Sequence, residues 1–220
     1  MNLSFISDFA YIGGRPYIRG VDLLRQFMKH ATVDMKESLS EVVSLKLLRE
    51  LRRNGVWCSD RTRTELFDRM EASAAVEYYD NNRNKRHACF YETGSLITRS
   101  MPDSPTVATS IICNAPFAGL AKITKPIDTI SVLDGLVAAN KALHVSSLRD
   151  RGLRADSIRF VYIESLPIIS PDQIGSIDLK ITHRGTKQLD GRIFTLNIAN
   201  FDDNFGSARV AICFSFDNKG

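Results

Sequence analysis

The stretch Ser131-Val-Leu-Asp-Gly-Leu-Val-Ala-Ala-Asn-Lys-Ala-Leu-His144 decides the fold class. Val132, Leu133, Leu136, Val137, Ala139 and Leu143 spread apolar groups over more than one stripe, which predicts a helix covered on most sides. Strand sequence follows it: Ser157–Glu164, Ser176–His183, Arg192–Ala199 and Ala208–Phe216. Partial alternation runs through Ile177/Leu179/Ile181, Phe194/Leu196/Ile198 and Val210/Ile212/Phe214/Phe216. Leu189-Asp190-Gly191 reads as a hairpin turn. One buried helix followed by four antiparallel strands is an α+β arrangement, running from about Pro116 to Phe216, in which the sheet curls around the helix.

Upstream of that helix, Pro116 to Ile130 is a break with a short extended piece at Leu120–Thr124. The first half begins with the punctuation Gly13-Gly14-Arg15-Pro16, then places Val21, Leu24, Phe27 and Met28 at helical spacing over Gly20 to His30. A second helix is predicted over Met35–Arg53, from Leu39, Val42, Val43, Leu47, Leu48 and Leu51, stopping near Asn54-Gly55. Strands follow at Ala74–Tyr79, Ala88–Thr98 and Thr106–Cys113, the first two separated by a polar turn at Asp80–Asn84. The halves echo each other: a proline, Pro16 or Pro126, precedes a helix with an aspartate, Asp22 or Asp134, in its early turns, and strands come after. A tandem repeat follows as the expectation, residues 1–115 with an extra helix and residues 116–220.

Composition excludes several classes. With 44% hydrophobic and 25% charged residues, the 220-residue chain is neither fibrous nor disordered. Its charge of +4 is spread out, and the short basic runs Arg49–Arg53 and Arg83–Arg86 read as solvated faces or turns, so no nucleic-acid partner is expected. The four cysteines, Cys58, Cys89, Cys113 and Cys213, show no metal-ligand spacing and read as reduced core residues, and no metal is expected. No apolar run approaches the roughly 18–20 residues of a membrane span, and the N-terminus lacks a signal-peptide pattern, so a cytoplasmic location without a membrane partner is expected. Phosphate loops, Gly-x-Ser-x-Gly elbows and His-Glu-x-x-His pairs are missing from the sequence.

Three segments carry a resemblance: Gly14-Arg-Pro-Tyr-Ile-Arg-Gly-Val-Asp-Leu-Leu24; Gly94-Ser-Leu-Ile-Thr-Arg-Ser100 with Thr109-Ser-Ile-Ile-Cys-Asn-Ala-Pro116; and Lys122-Ile-Thr-Lys-Pro-Ile-Asp-Thr-Ile-Ser131. With the helix-then-strands order, these resemble the hotdog superfamily of acyl-thioester enzymes. More particularly they resemble its double-hotdog biosynthetic members of the leinamycin-type acyltransferase/decarboxylase group. The resemblance implies a tandem hotdog, each repeat a long helix wrapped by an antiparallel sheet. It implies an enzyme of secondary metabolism, such as polyketide biosynthesis, acting on acyl-CoA or acyl-carrier-protein thioesters by acyl transfer, decarboxylation or hydrolysis. The alternative is a non-catalytic binding or scaffold module. No cofactor is implied beyond the substrate's coenzyme A or phosphopantetheine arm, and a homodimer is left open. No histidine precedes Asp22 or lies between Cys113 and Asp134, a departure from hydroxyacyl dehydratases of this fold.

The candidate residues each have two readings. Gly20 and Ser131 sit where a helix start can offer N–H groups to a thioester oxygen, or simply where a turn and a cap belong. Asp22 and Asp134 could serve as base or water-orienting acid, or complement the helix dipole. Tyr17 and Tyr11 could bond or accept an acyl group, or act as half-buried staples. Arg15 and Arg19 could hold a carboxylate or phosphate, or lie in solvent. Asp128 fits a helix cap, and His144 is placed at a helix end, where an imidazolium would favour the dipole.

Overall fold

A computed structural model describes residues 5–7, 9–12, 17–33, 39–59, 71–101, 109–150, 158–169, 175–202 and 208–217. Two compact units divide the chain, residues 1–105 and 106–220. The first contains β1 (Phe5–Ser7), β2 (Tyr11–Ile12), α1 (Gly20–Val33), β3 (Leu39–Leu47), β4 (Arg53–Ser59), β5 (Ala74–Asp80), β6 (Lys85–Leu96) and β7 (Ser100–Met101). Five of these form antiparallel pairs in the order β1-β4-β6-β5-β3, while β2 and β7 pair in parallel.

α1 buries Val21, Leu23, Leu24, Phe27 and Ala31, the stripe expected of an amphipathic helix. The Phe27 ring lies 4.9 Å from that of Trp57 on β4 and 5.2 Å from that of Tyr78 on β5, and Trp57 in turn meets Phe90 on β6 at 5.4 Å. This aromatic stack fixes the helix to its sheet; truncating such a buried phenylalanine costs about 3–5 kcal/mol.

The second helix expected over Met35–Arg53 is corrected: within its described part, Leu39–Leu47 is strand β3 and Arg53 opens strand β4. Two irregularities in the β3–β5 register, between Leu39 and Glu41 and between Val42 and Ser44, explain the misreading. Each bulge inserts a residue and shifts the period-two phase, so Leu39, Val42, Val43 and Leu47 fall at spacings that mimic a helix. β5, without a bulge within it, shows the plain alternation of buried and half-buried residues.

The second unit contains β8 (Thr109–Ala115), β9 (Ala118–Ile123), α2 (Thr129–Arg149), β10 (Arg159–Pro167), β11 (Ile177–Leu189), β12 (Arg192–Phe201) and β13 (Arg209–Asp217). All its strand pairs are antiparallel, in the order β10-β13-β12-β11-β9-β8. β8, read from the sequence as the last strand of the first half, is instead hairpin-paired to β9 and belongs to this unit, so the units divide about ten residues before residue 115. The expected Asp190-Gly191 turn is present, with φ of 48° and 72° at the two central residues and Leu189 opposite Arg192. Two positive φ values define the primed turn that matches strand twist.

α2 is covered on most sides, with Val132, Leu133, Leu136, Ala139 and Leu143 all essentially inaccessible. A capping box starts it: the Asp128 carboxylate accepts from the Ser131 N–H at 2.7 Å while Ser131 Oγ accepts from the Asp128 N–H at 2.9 Å. Gly135 lets the helix sit close to β9, since a Cβ there would stand 2.8–2.9 Å from three carbons of Ile123.

Candidate functional site

Arg19 provides the carbonyl that accepts the first helical bond of α1, from the Leu23 N–H at 3.1 Å. Its guanidinium folds forward onto Asp22 in the first turn, Nε to Oδ2 at 2.7 Å and Nη2 to Oδ1 at 2.9 Å. Arg25, one turn on, adds Nη1 to Oδ1 at 2.6 Å. The i, i+3 spacing of a helix thus brings three residues into one cluster. The Asp22 side chain is 11% exposed, Arg19 19% and Arg25 44%, so the carboxylate lies inside a two-arginine clamp whose outer arm faces solvent. Both Asp22 oxygens accept charged donors, an arrangement that holds the helix start together.

The other expected residues take separate positions. Gly20 is buried as the first residue of α1, and Tyr17 is half-buried just before it. Tyr11 donates its hydroxyl to the Arg52 carbonyl at 2.8 Å. Arg15 lies outside the described residues. Ser131 Oγ accepts from the Ile127 and Asp128 N–H groups, so its hydroxyl serves the cap of α2.

Asp134 stands in the second turn of α2, not the first, and is the only acid in the helix sequence Thr129–Arg149. It is half-buried and heads the less covered stripe of that helix. Four residues further along the same stripe begins a shallow open groove of about 430 Å³, lined by Ala138, Lys141, Ala142, Val145, Ser146 and Arg149. Its floor is apolar and its cations come from Lys141 and Arg149. An acid, an apolar track and two cations therefore follow one another along one helix face.

No family model and no curated protein matches the sequence. Solved structures do match over nearly the whole length. A conserved protein with a hot dog fold from Alicyclobacillus acidocaldarius aligns over 99% of this chain and 94% of its own, at 12% identity and a TM-score of 0.52. A protein described as an oleoyl thioesterase from Lactobacillus plantarum covers 98% and 96%, at 8% identity and 0.51. The pyran synthase domain from module nine of the sorangicin pathway covers 99% and 94%, at 11% identity and 0.50. The chain has the hotdog fold. At these identities the likeness establishes the architecture, and the chemistry has to come from the residues.

The long helix of this hotdog chain carries a second polar group that the sequence did not reveal. His144, expected at a helix end, lies five residues inside α2 and is fully buried. Its Nδ1 is 2.7 Å from the Asn140 carbonyl and so carries a proton to donate, while Nε2, 2.5 Å from Thr195 Oγ1, accepts. Burial, above all, holds its pKa down to about 4, with His183 adding to the depression. Asn197 Nδ2 donates to Asn140 Oδ1 at 3.0 Å and to the Phe117 carbonyl at 2.9 Å. Ser147 Oγ accepts from the Phe117 N–H at 2.7 Å. This network clamps the β8–β9 turn, where Phe117 has a φ of 59°, between α2 and β12. It is roughly 15 Å along the helix from Asp134, at 1.5 Å per residue, and its polar atoms satisfy one another.

The basic runs are engaged by acids: Arg52 pairs with Glu50, Arg49 with Glu92, and Arg86 with Asp80. Cys113 is exposed, against the expectation of a core residue, while Cys58 is buried and Cys89 and Cys213 are half-buried. Among the described residues no helix is long and apolar enough to cross a membrane, and no group of three or more metal-ligating side chains could hold a metal ion.

Proposed function

We propose that this chain is a tandem hotdog that binds and processes acyl thioesters carried by coenzyme A or an acyl carrier protein, with Asp134 as the acid at the reacting end. The observation that carries the reading is the face of α2: the helix's one acid, half-buried, followed by an apolar groove with Lys141 and Arg149 along it. An acyl chain has apolar surface to cover there, a phosphate or carboxylate has cations to meet, and the carboxylate can orient water or remove a proton beside the acyl carbon. The Asp22 cluster then stabilises the start of α1, with Arg25 and Arg19 as its cations. The narrower resemblance to leinamycin-type enzymes adds acyl transfer and decarboxylation of malonyl-type groups to the reactions to be tried beside hydrolysis, and thioesters of secondary metabolism to the substrates.

Acyl-CoA turnover by the wild type and by Asp134→Asn tests this reading. Release of free thiol by the wild type that falls at least tenfold in the variant, with unchanged thermal stability, is the expected result. Equal turnover in both removes Asp134 from the chemistry. A second reading, binding without turnover, is favoured by the engagement of Asp22 with two arginines and the burial of His144 away from solvent. It expects thermal stabilisation by acyl-CoA with no thiol released.

A further inference from the structure

The first unit carries two cysteines directly opposite each other in its sheet. β4 and β6 pair Cys58 with Cys89, and facing residues of an antiparallel pair project to the same side. Their neighbours Trp57 and Phe90 point into the aromatic stack beneath α1, so alternation sends both cysteines to the opposite face. Opposed Cα atoms in such a pair are about 4.5 or about 5.5 Å apart, whichever ladder position they occupy. A disulfide spans Cα separations of roughly 4.4–6.8 Å, so the strand pairing puts the two Cα atoms within the span a bond can bridge.

A third group completes the cluster. His87, two residues before Cys89 on β6 and therefore on the same face, places Nε2 3.6 Å and Nδ1 3.9 Å from Cys89 Sγ. Access differs between the two thiols, for Cys58 is buried and Cys89 half-buried. Burial, and secondly the neighbouring Cys89, pushes the Cys58 thiol up to about 11. Cys89 is thus the sulfur a reagent meets first, with an imidazole beside it, and Cys58 the protonated thiol behind it.

We propose that Cys58, Cys89 and His87 form a redox modification site, a cross-strand dithiol that a small disulfide such as glutathione disulfide converts to a Cys58–Cys89 bond. His87 takes the Cys89 thiol proton, and the thiolate attacks one sulfur of the oxidant, breaking its S–S bond and releasing one glutathione thiolate. Cys58, losing its proton to that thiolate, attacks the Cys89 sulfur and displaces the second glutathione, which leaves with the proton from His87. Two protein thiols are oxidised, one glutathione disulfide is reduced to two thiols, and β4 becomes covalently tied to β6.

The test uses the full chain, reduced and then exposed to glutathione disulfide at neutral pH, with free thiols alkylated at intervals and the peptides mapped by mass. The expected result is a Cys58–Cys89 peptide lighter by two hydrogens, formed while exposed Cys113 carries at most a glutathione adduct, and lost when the chain is first unfolded in urea. Cys58 and Cys89 both remaining alkylatable after Cys113 has reacted overturns the proposal, as does a glutathione adduct on Cys89 that never resolves. Cys58→Ser is expected to trap that adduct at Cys89; a variant with no adduct there overturns the order of attack. His87→Gln is expected to slow the crosslink several-fold, and an unchanged rate removes His87 from the site.

Discussion

Lowering the pH from 7 to 5 titrates His144 in the unfolded chain but not in the folded one. Buried and bonded to Asn140 and Thr195, its imidazole has a folded pKa of about 4 against an ordinary 6.5. Between those values the unfolded state binds more protons. The stability is therefore fully present above the ordinary value and is lost as pH falls toward the folded one. At about 1.4 kcal/mol per pH unit, the loss by pH 5 is about 2 kcal/mol, and by pH 4 about 3 kcal/mol. For a chain of this size each kcal/mol moves the thermal midpoint by roughly 2–4 °C, so the shift at pH 5 is about 4–8 °C. Urea unfolding at pH 7, 6 and 5 of the wild type and of His144→Gln measures it. The variant starts less stable, because Thr195 loses its short bond to the imidazole and keeps only the 3.4 Å bond to the Phe214 carbonyl, but its stability depends less on pH. Equal pH slopes in both proteins would refute the reasoning.

Three other perturbations have expected outcomes. Gly135→Ala drives a Cβ into Ile123, and about 1–3 kcal/mol of overpacking outweighs the roughly 1 kcal/mol alanine gains as a helix former, so the urea midpoint falls; a rise means the Ile123 side chain gives way to the added methyl. Asp22→Asn removes the charge that two guanidiniums share and lowers stability by about 1–2 kcal/mol, with thioester turnover per folded molecule retained; loss of turnover at unchanged stability would move the chemistry to α1. Asn197→Ala strips the donor to Asn140 and the Phe117 carbonyl, costing about 2–4 kcal/mol for two buried bonds and raising hydrogen exchange at the β8–β9 turn; protection equal to wild type there would count against the clamp.

Much of the second unit was legible in the sequence because its signals are local. The breadth of apolar cover on Ser131–His144, the alternation of Val210/Ile212/Phe214/Phe216 and the Asp190-Gly191 turn each involve residues close in sequence, and each predicted its element. β3 was not legible, because two bulges turned a period of two into spacings that a helix also produces. The Arg19–Asp22–Arg25 clamp lies within one helical turn on either side of Asp22, yet only Arg19 and Asp22 stood out in the sequence; Arg25 did not, although its i, i+3 spacing from Asp22 is local. The buried network could not be read: Asn197 reaches Asn140 and Phe117 across 57 and 80 residues, and only the sheet register brings them together. The same holds for Cys58 and Cys89, whose opposition depends on the β4–β6 pairing.

The central claim is that an acyl thioester is the ligand and that its acyl carbon reacts. Incubating the full chain with acetyl-, malonyl-, methylmalonyl- and long-chain acyl-CoA, and following free thiol and intact protein mass together, tests it most directly. The account predicts thiol release or an acyl adduct with at least one of these thioesters, and its loss in Asp134→Asn. No thiol, no adduct and no thermal stabilisation with any of them would contradict it.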